Sequence, residues 1–235
     1  MKNIFSTFLL FTLFFLNSCG TNSDGTLIET SSQSSSQKTP LQNATCSQLL
    51  HKKYYEICYD YDAKGALFVA YTLDGKVVNN PNLTQRFSFY EEESIPLIYR
   101  SDSDDYRGSG YDRGHMASDA SFDYNQSALY SVYSMANIVP QNPDVNRYSW
   151  IDTEFLERDK AVDYGSVSVV IAIVYSDNPE RIGKNDIAVP SGFYKKIANT
   201  AYNYEACYFY ENIPYDVASD TLAQHKVACN YFPFY

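Results

Sequence analysis

Four cysteines grouped toward the two ends of one long segment, Cys46, Cys58, Cys207 and Cys229, constrain this chain more than any other feature. An even number of Cys suits two disulfides in an oxidising compartment, and four Cys permit three pairings. Nearness in sequence favours Cys46–Cys58 and Cys207–Cys229, one staple at each end of a single domain. Zinc is the competing use, but a thiolate site is normally built from Cys-x-x-Cys pairs and none is present.

Cysteine usage therefore points to export, and the first residues agree. Lys2 precedes an apolar run from Ile4 to Leu16, the charged start and short hydrophobic region of a secretory signal peptide. The run is too short to span a bilayer, which takes ~20 residues as a helix. Leu16-Asn17-Ser18-Cys19-Gly20 resembles the bacterial lipobox. That resemblance implies cleavage before Cys19, lipidation of Cys19, and an exported lipoprotein anchored in a bacterial membrane, at the outer membrane or the periplasmic face. A plain signal peptide cut near Cys19, with secreted release, is the alternative. Residues 21–43 are rich in Ser, Thr, Gln and Asn and cannot offset their ordering entropy by burial, so they read as a flexible tether. The division is then a signal peptide at 1–18, a lipidated Cys and tether at 19–43, and a folded domain at 44–235.

Charge narrows the function classes. The chain carries a formal net charge of −10, and loss of Lys2 with the leader makes it more acidic still. A module that binds nucleic acid passively draws its affinity from phosphate neutralisation and shows a basic patch. This acidity argues against such a module. It leaves room for an enzyme that keeps a local positive cleft and releases its product.

Tyr55–Tyr61 and Ala66–Leu73 read as strands, and so do Phe193–Ile197 and Tyr204–Tyr210. Val167–Tyr175, apolar and β-branched, is the candidate central strand. Most of the 23 Tyr fall in strand-like runs and suit half-buried sheet positions, so none is assigned to substrate. Residues 143–160 predict the clearest helix, with Asp144 as N-cap and Val145, Trp150, Ile151, Phe155 and Leu156 as its apolar stripe. The class is α+β. The acidic runs Glu91-Glu92-Glu93 and Asp102 to Asp105 lack calcium-loop spacing and read as solvated faces.

Chemistry concentrates between Tyr111 and Glu154. Of the three His, His51, His115 and His225, only His115 has a distinctive setting. It follows Asp112-Arg113-Gly114 at the end of a polar, Gly-containing approach. Hydrolysis of a phosphodiester needs a base for water, cations for the phosphate and usually a metal. Imidazole, with an ordinary pKa of about 6.5, suits that proton transfer near neutrality. Gly114 is expected to let the backbone bend tightly between Arg113 and His115. Separately, Asn146, Trp150 and Glu154 sit at i, i+4 and i+8, which places them along one helix face.

The stretch from Tyr106 to Ala117, Tyr-Arg-Gly-Ser-Gly-Tyr-Asp-Arg-Gly-His-Met-Ala, resembles the signature of the DNA/RNA non-specific endonucleases, the ββα-metal nucleases. Met135-Ala136-Asn137-Ile138-Val139-Pro140-Gln141, followed by Asn146, Trp150 and Glu154, resembles that family's second block. The resemblance runs from roughly Ala66 to Ile197. It implies a ββα-metal core with a central antiparallel sheet flanked by helices. It also implies a sugar-non-specific endonuclease that hydrolyses DNA and RNA and leaves 5′-phosphate ends.

Residue by residue, His115 resembles the general base, and Asn146 the amide ligand of a single Mg²⁺, for which Mn²⁺ is a substitute. Glu154 resembles the carboxylate that orients water around the ion, Arg113 the transition-state arginine and Arg86 a further phosphate-binding arginine. Asn137 resembles a residue supporting the active-site loop and metal helix, Asp112 a brace of the motif, and Trp150 a packing aromatic. Plainer readings stand beside two of these: Asp112 pairing with Arg113 or capping a turn, and Asn137 shaping a loop. Two other classes compete. One is a catalytically inactive nuclease-like lipoprotein that binds nucleic acid or a partner, against which the intact Arg113, His115, Asn146 and Glu154 argue. The other is a hydrolase of small phosphoesters on the same scaffold.

Overall fold

The computed structural model describes residues 45–233; the signal-peptide, Cys19 and tether readings lie outside the described residues. β1 (Gln48–His51), β2 (Tyr55–Asp60), β3 (Gly65–Asp74), β6 (Ser166–Val174), β9 (Gly192–Asn199), β10 (Tyr204–Glu211) and β11 (Lys226–Val227) form one sheet in that spatial order. Every neighbouring pair is antiparallel. β6 occupies the middle, as its β-branched run predicts, and its residues from Val169 to Ile173 are buried. Two short ribbons stand apart from the sheet: β4 (Asp112–His115) with β5 (Ile138–Gln141), and β7 (Arg181–Ile182) with β8 (Ile187–Ala188). The helices are α1 (Asp119–Phe122), α2 (Gln126–Val132) and α3 (Trp150–Tyr164).

One sheet face carries the main core, where Tyr71, Phe122, Trp150 and Phe193 pack beneath α1, α2 and α3. On a second, smaller cluster, Phe232 near the C-terminus lies edge-on to Phe68 and Tyr194 and covers Cys58, Val170 and Ala172. Both expected disulfides are present, Cys46–Cys58 and Cys207–Cys229, each with Cα atoms 5.2 Å apart.

The helix departs from its sequence reading in three ways. Asp144 is not its N-cap: it already has helical dihedrals, and the Asn142 side chain accepts from its backbone N–H at 2.9 Å. The segment Val145–Ser149 is a π-helical turn, with the Trp150 N–H bonded back to the Val145 carbonyl, before α3 proper begins. The apolar stripe holds only in part: Val145 and Trp150 are buried and Leu156 packs on the core. Phe155 is 55% exposed, while the buried face is Trp150, Thr153, Glu157, Arg158 and Ala161. Glu157 tolerates burial because Lys195, Tyr71 and Ser121 all donate to its carboxylate. Gly165 ends the helix in the left-handed region at φ 80°, where a side chain is disfavoured.

The acidic runs are not uniformly solvated either. Glu92 is buried and takes bonds from Lys52, Ser94 and Ser134. Asp102 and Asp105 form a reciprocal cap on the 3₁₀ turn Ser103–Tyr106, and buried Asp105 also accepts from Asn185. Hydrogen bonds, several from residues 40 to 80 positions away, consume charges that sequence pattern alone assigns to solvent.

Candidate active site

β4 and β5 pair in register, with Asp112 opposite Gln141, Arg113 opposite Pro140 and His115 opposite Ile138. Alternation along a strand sends Asp112 and Gly114 to one side and Arg113 and His115 to the other. Gly114 is therefore no bend. It is required by close approach, since a Cβ there would lie 2.6 Å from the Gln141 Cβ, which cannot swing away.

The His115 ring sits in an aromatic slot, tilted against Phe89 at 5.4 Å and edge-on to Tyr133 at 5.1 Å. Tyr133 donates its hydroxyl to Asp119 Oδ2 at 2.6 Å, and Arg86 Nε pairs with the same oxygen at 2.9 Å. Burial pushes the imidazole down to about 4; Asp119 opposes that shift and Arg86 adds to it. The ring is thus neutral near pH 7, and its Nε2 is buried without a hydrogen-bond partner. A neutral imidazole is the form a general base requires, and the ring is only partly buried, so its other nitrogen, not Nε2, is the one open to water.

Arg113 lies between the rings of Tyr106 and Phe89, at 5.5 and 5.8 Å, and donates through Nε and Nη2 to the Ser103 carbonyl. Those contacts fix its plane and leave Nη1 uncommitted. Arg86 is half-exposed, held by Asp119 and by backbone carbonyls of its own loop. Asn137 is fully buried, accepting from Ala117 N–H and donating to the carbonyls of Ala117 and Val132. It fastens the chain just after His115 to the end of α2 and has no exposed surface.

The two blocks of sequence meet through Asp112. Asn146 donates Nδ2 to Asp112 Oδ2 at 3.0 Å, and Arg147 grips both carboxylate oxygens at 2.8 and 2.7 Å. Arg147 first, then the Asn146 amide, holds the Asp112 carboxyl below the usual carboxylate range. The partner of Asp112 is therefore Arg147 and not Arg113. With its nitrogen committed, Asn146 keeps an amide oxygen that no hydrogen bond among the described residues uses. Glu154, eight residues on, is half-buried with no hydrogen-bond partner among the described residues. Burial raises its carboxyl to about 7, with Lys195 opposing. Trp150 lies beneath, packed on Phe193 and Tyr210, with Lys195 Nζ over its ring at 4.3 Å.

These donors fit a hard cation that keeps most of its water: one free amide oxygen, plus an unpaired carboxylate able to orient solvent. Among the described residues no group of three or more His, Cys, Asp or Glu is arranged to hold a metal. A dehydrated all-protein cage is not what these residues offer.

Sequence reading passed over Phe89, Tyr133 and Asp119, which build the His115 slot, and Arg147 and Arg158. Arg158 is only 8% exposed, its Nη1 has no partner, and its charge is felt by both Glu154 and Asp123. Its position one helical turn after Glu154 was the available signal. The others carry none, because aromatic and acidic residues are common in this chain.

Comparisons with known proteins point to one family. The sequence model of the DNA/RNA non-specific endonuclease family matches residues 32–230. Endonuclease G, mitochondrial, of Homo sapiens is 31% identical over 159 residues, covering 63% of this chain and 54% of the relative. Nuclease 1, mitochondrial, of Schizosaccharomyces pombe is 29% identical over 156 residues, covering 61% and 48%. The chain thus spans about half the length of these relatives. Among solved structures, "Crystal structure of the EndoG/EndoGI complex: Mechanism of EndoG inhibition" superposes with a TM-score of 0.72 at 27% identity, covering 78% of this chain and 81% of that one. The α+β antiparallel architecture is that of the ββα-metal nucleases.

Proposed function

The chain belongs to the DNA/RNA non-specific endonuclease family, and from that premise we propose that it is a sugar-non-specific endonuclease hydrolysing DNA and RNA, with His115 as general base and Asn146 as the protein ligand of one Mg²⁺. The observation that carries the proposal is His115 itself: a neutral, partly exposed imidazole that no hydrogen bond among the described residues engages, on the strand whose Asp112 accepts from Asn146.

His115 takes a proton from water as the water oxygen bonds to phosphorus. The bond from phosphorus to O3′ breaks in line and O3′ takes a proton from solvent, leaving a 3′-hydroxyl and a 5′-phosphate. Phe89 and Tyr133 hold the ring in place, and Arg86, Arg113 and Arg158 supply positive charge for the phosphate oxygens. Asp112 sets the Asn146 amide, and Glu154 orients nearby water. Mg²⁺, when bound, stabilises the negative charge developing on the phosphate and the departing oxygen. Mn²⁺ is the natural substitute.

A gel activity assay on plasmid DNA and on RNA tests this directly. Cleavage of both to oligonucleotides, abolished by EDTA and restored by Mg²⁺, is the expected result. His115→Ala should lower turnover by roughly 10²–10⁴-fold with the fold retained. Near-normal activity in that variant, or cutting that ignores EDTA, would refute the assignment.

Export with a lipid anchor at Cys19 is the companion proposal, supported by the leader sequence and by two disulfides that suit an oxidising compartment. Cys19→Ser should shift the protein from the membrane fraction to the soluble one. Unchanged fractionation would argue for simple secretion or another anchor.

A further inference from the structure

The Asn146 turn is held from behind by a residue 66 positions away that no motif contains. Asn212, immediately after β10, is 8% exposed and places its amide among three separate segments. Its Oδ1 accepts from Asn142 N–H at 2.7 Å, and its Nδ2 donates to the carbonyls of Pro140 at 3.0 Å and Pro190 at 2.9 Å. Its own backbone N–H bonds to the Ser191 carbonyl at 2.9 Å. Three of these partners are buried or half-buried backbone groups, and the acceptor and donor ends of the amide match them without conflict.

What those segments carry gives the contact its meaning. Pro140 lies opposite Arg113 in the β4–β5 ribbon. Asn142 opens the helix: its Oδ1 accepts from Asp144 N–H at 2.9 Å, and its carbonyl accepts from Asn146 N–H at 2.8 Å. Asn142 is thus bonded directly to the residue read as the metal ligand. The turn that follows is π-helical rather than α-helical, a geometry that needs support from outside itself and that recurs at functional sites.

We infer that Asn212 is a positioning residue for metal binding: it fixes the Asn142 turn against the β4–β5 ribbon and so sets the aim of the Asn146 amide oxygen. The inference rests on the reading of Asn146 as the ligand. Apolar packing alone is non-directional and leaves such a turn free to shift; three bonds from one rigid amide do not.

The test uses the full chain and reads metal affinity apart from activity. Mn²⁺ binding is titrated by electron paramagnetic resonance, alongside the Mg²⁺ dependence of DNA cleavage and a thermal melt. Asn212→Ala should weaken Mn²⁺ binding by about 10-fold or more, the scale seen when outer-shell partners of metal ligands are removed. Half-saturating Mg²⁺ should rise by the same factor while kcat at saturating Mg²⁺ changes little.

Asn199→Ala is the matched control, because Asn199 also bonds through both ends of its amide, to Ser166 O at 2.7 Å and from Tyr202 N–H at 3.0 Å. It lies at the opposite end of β9, roughly 23 Å along the strand, and should melt lower without losing Mn²⁺ affinity. If Asn212→Ala does not fold, Asn212→Ser, which keeps a short donor and acceptor, should show the same effect at reduced size. Unchanged Mn²⁺ affinity in a folded Asn212 variant overturns the inference, as does an equal loss in Asn199→Ala. Wild-type protein that binds no Mn²⁺ overturns the ligand reading of Asn146 itself, and this inference with it.

Discussion

Lys195 and Glu157 form an ion pair with both side chains at 0% exposure, Nζ to Oε2 at 3.0 Å, directly under the helix that carries Glu154. At an effective dielectric of about 20 their attraction is about 5.5 kcal/mol, and desolvating the two ions costs several kcal/mol each. The pair is therefore close to neutral in net stability, yet breaking it is expensive. Lys195→Met leaves the carboxylate buried with only the hydroxyls of Tyr71 and Ser121 to satisfy it.

The expected cost of that single change is about 3–5 kcal/mol. For a domain of this size that lowers Tm by roughly 6–20 °C. Glu157→Gln should cost a similar amount, because it strands the ammonium. The double variant Glu157→Gln/Lys195→Met keeps an acceptor for Tyr71 and Ser121 and removes both charges. It should recover most of the loss. Urea unfolding of the four proteins, with m-values compared, gives the coupling energy directly. A single Lys195→Met that costs under about 1 kcal/mol, or a double variant as unstable as the two singles summed, would refute the reasoning.

Two further outcomes follow from the site and from the disulfides. Because burial depresses the His115 imidazole to about 4, from an ordinary value of about 6.5, its neutral form persists on acidification. Its stabilising contribution is complete above pH 6.5 and is lost as pH falls through 4; an NMR titration of the His115 ring with a midpoint at 6.5 or higher would contradict this. The Cys207–Cys229 bond closes a loop of sequence separation 22, so Cys207→Ser/Cys229→Ser should cost about 3 kcal/mol by loop entropy; an unchanged melting temperature would show that the C-terminal segment is held by packing alone.

Legibility in the sequence followed physical range. Strand β6 was readable because a strand buried on both faces is apolar and β-branched over a short local window, as Val167–Val174 is, and β3, β9 and β10 because their short runs are rich in aromatic and aliphatic residues. The β4 motif and the i, i+4, i+8 spacing of Asn146, Trp150 and Glu154 were readable because both are local in the chain; the roles of His115, Asn146 and Glu154 came from the family resemblance. What stayed hidden is what long-range pairing decides. Glu157 and Lys195 are charged, and a charge is assigned to the surface unless its partner, 38 residues away, is known. Phe155 looks like core and is exposed because Glu157 and Arg158 occupy the buried face instead.

That exchange of an apolar face for a polar one has a mechanical consequence. Hydrophobic burial rewards area and tolerates rotation of a helix about its axis. A carboxylate that must meet Lys195, Tyr71 and Ser121 at once tolerates very little. α3 is thus clamped at Glu157 from within the sheet and, ahead of the π-helical turn that precedes it, at Asn142 by Asn212. Asn146 and Glu154, the residues proposed to hold the metal and its water, lie between the two clamps, where directional bonds add to the packing of Trp150 in setting the angle.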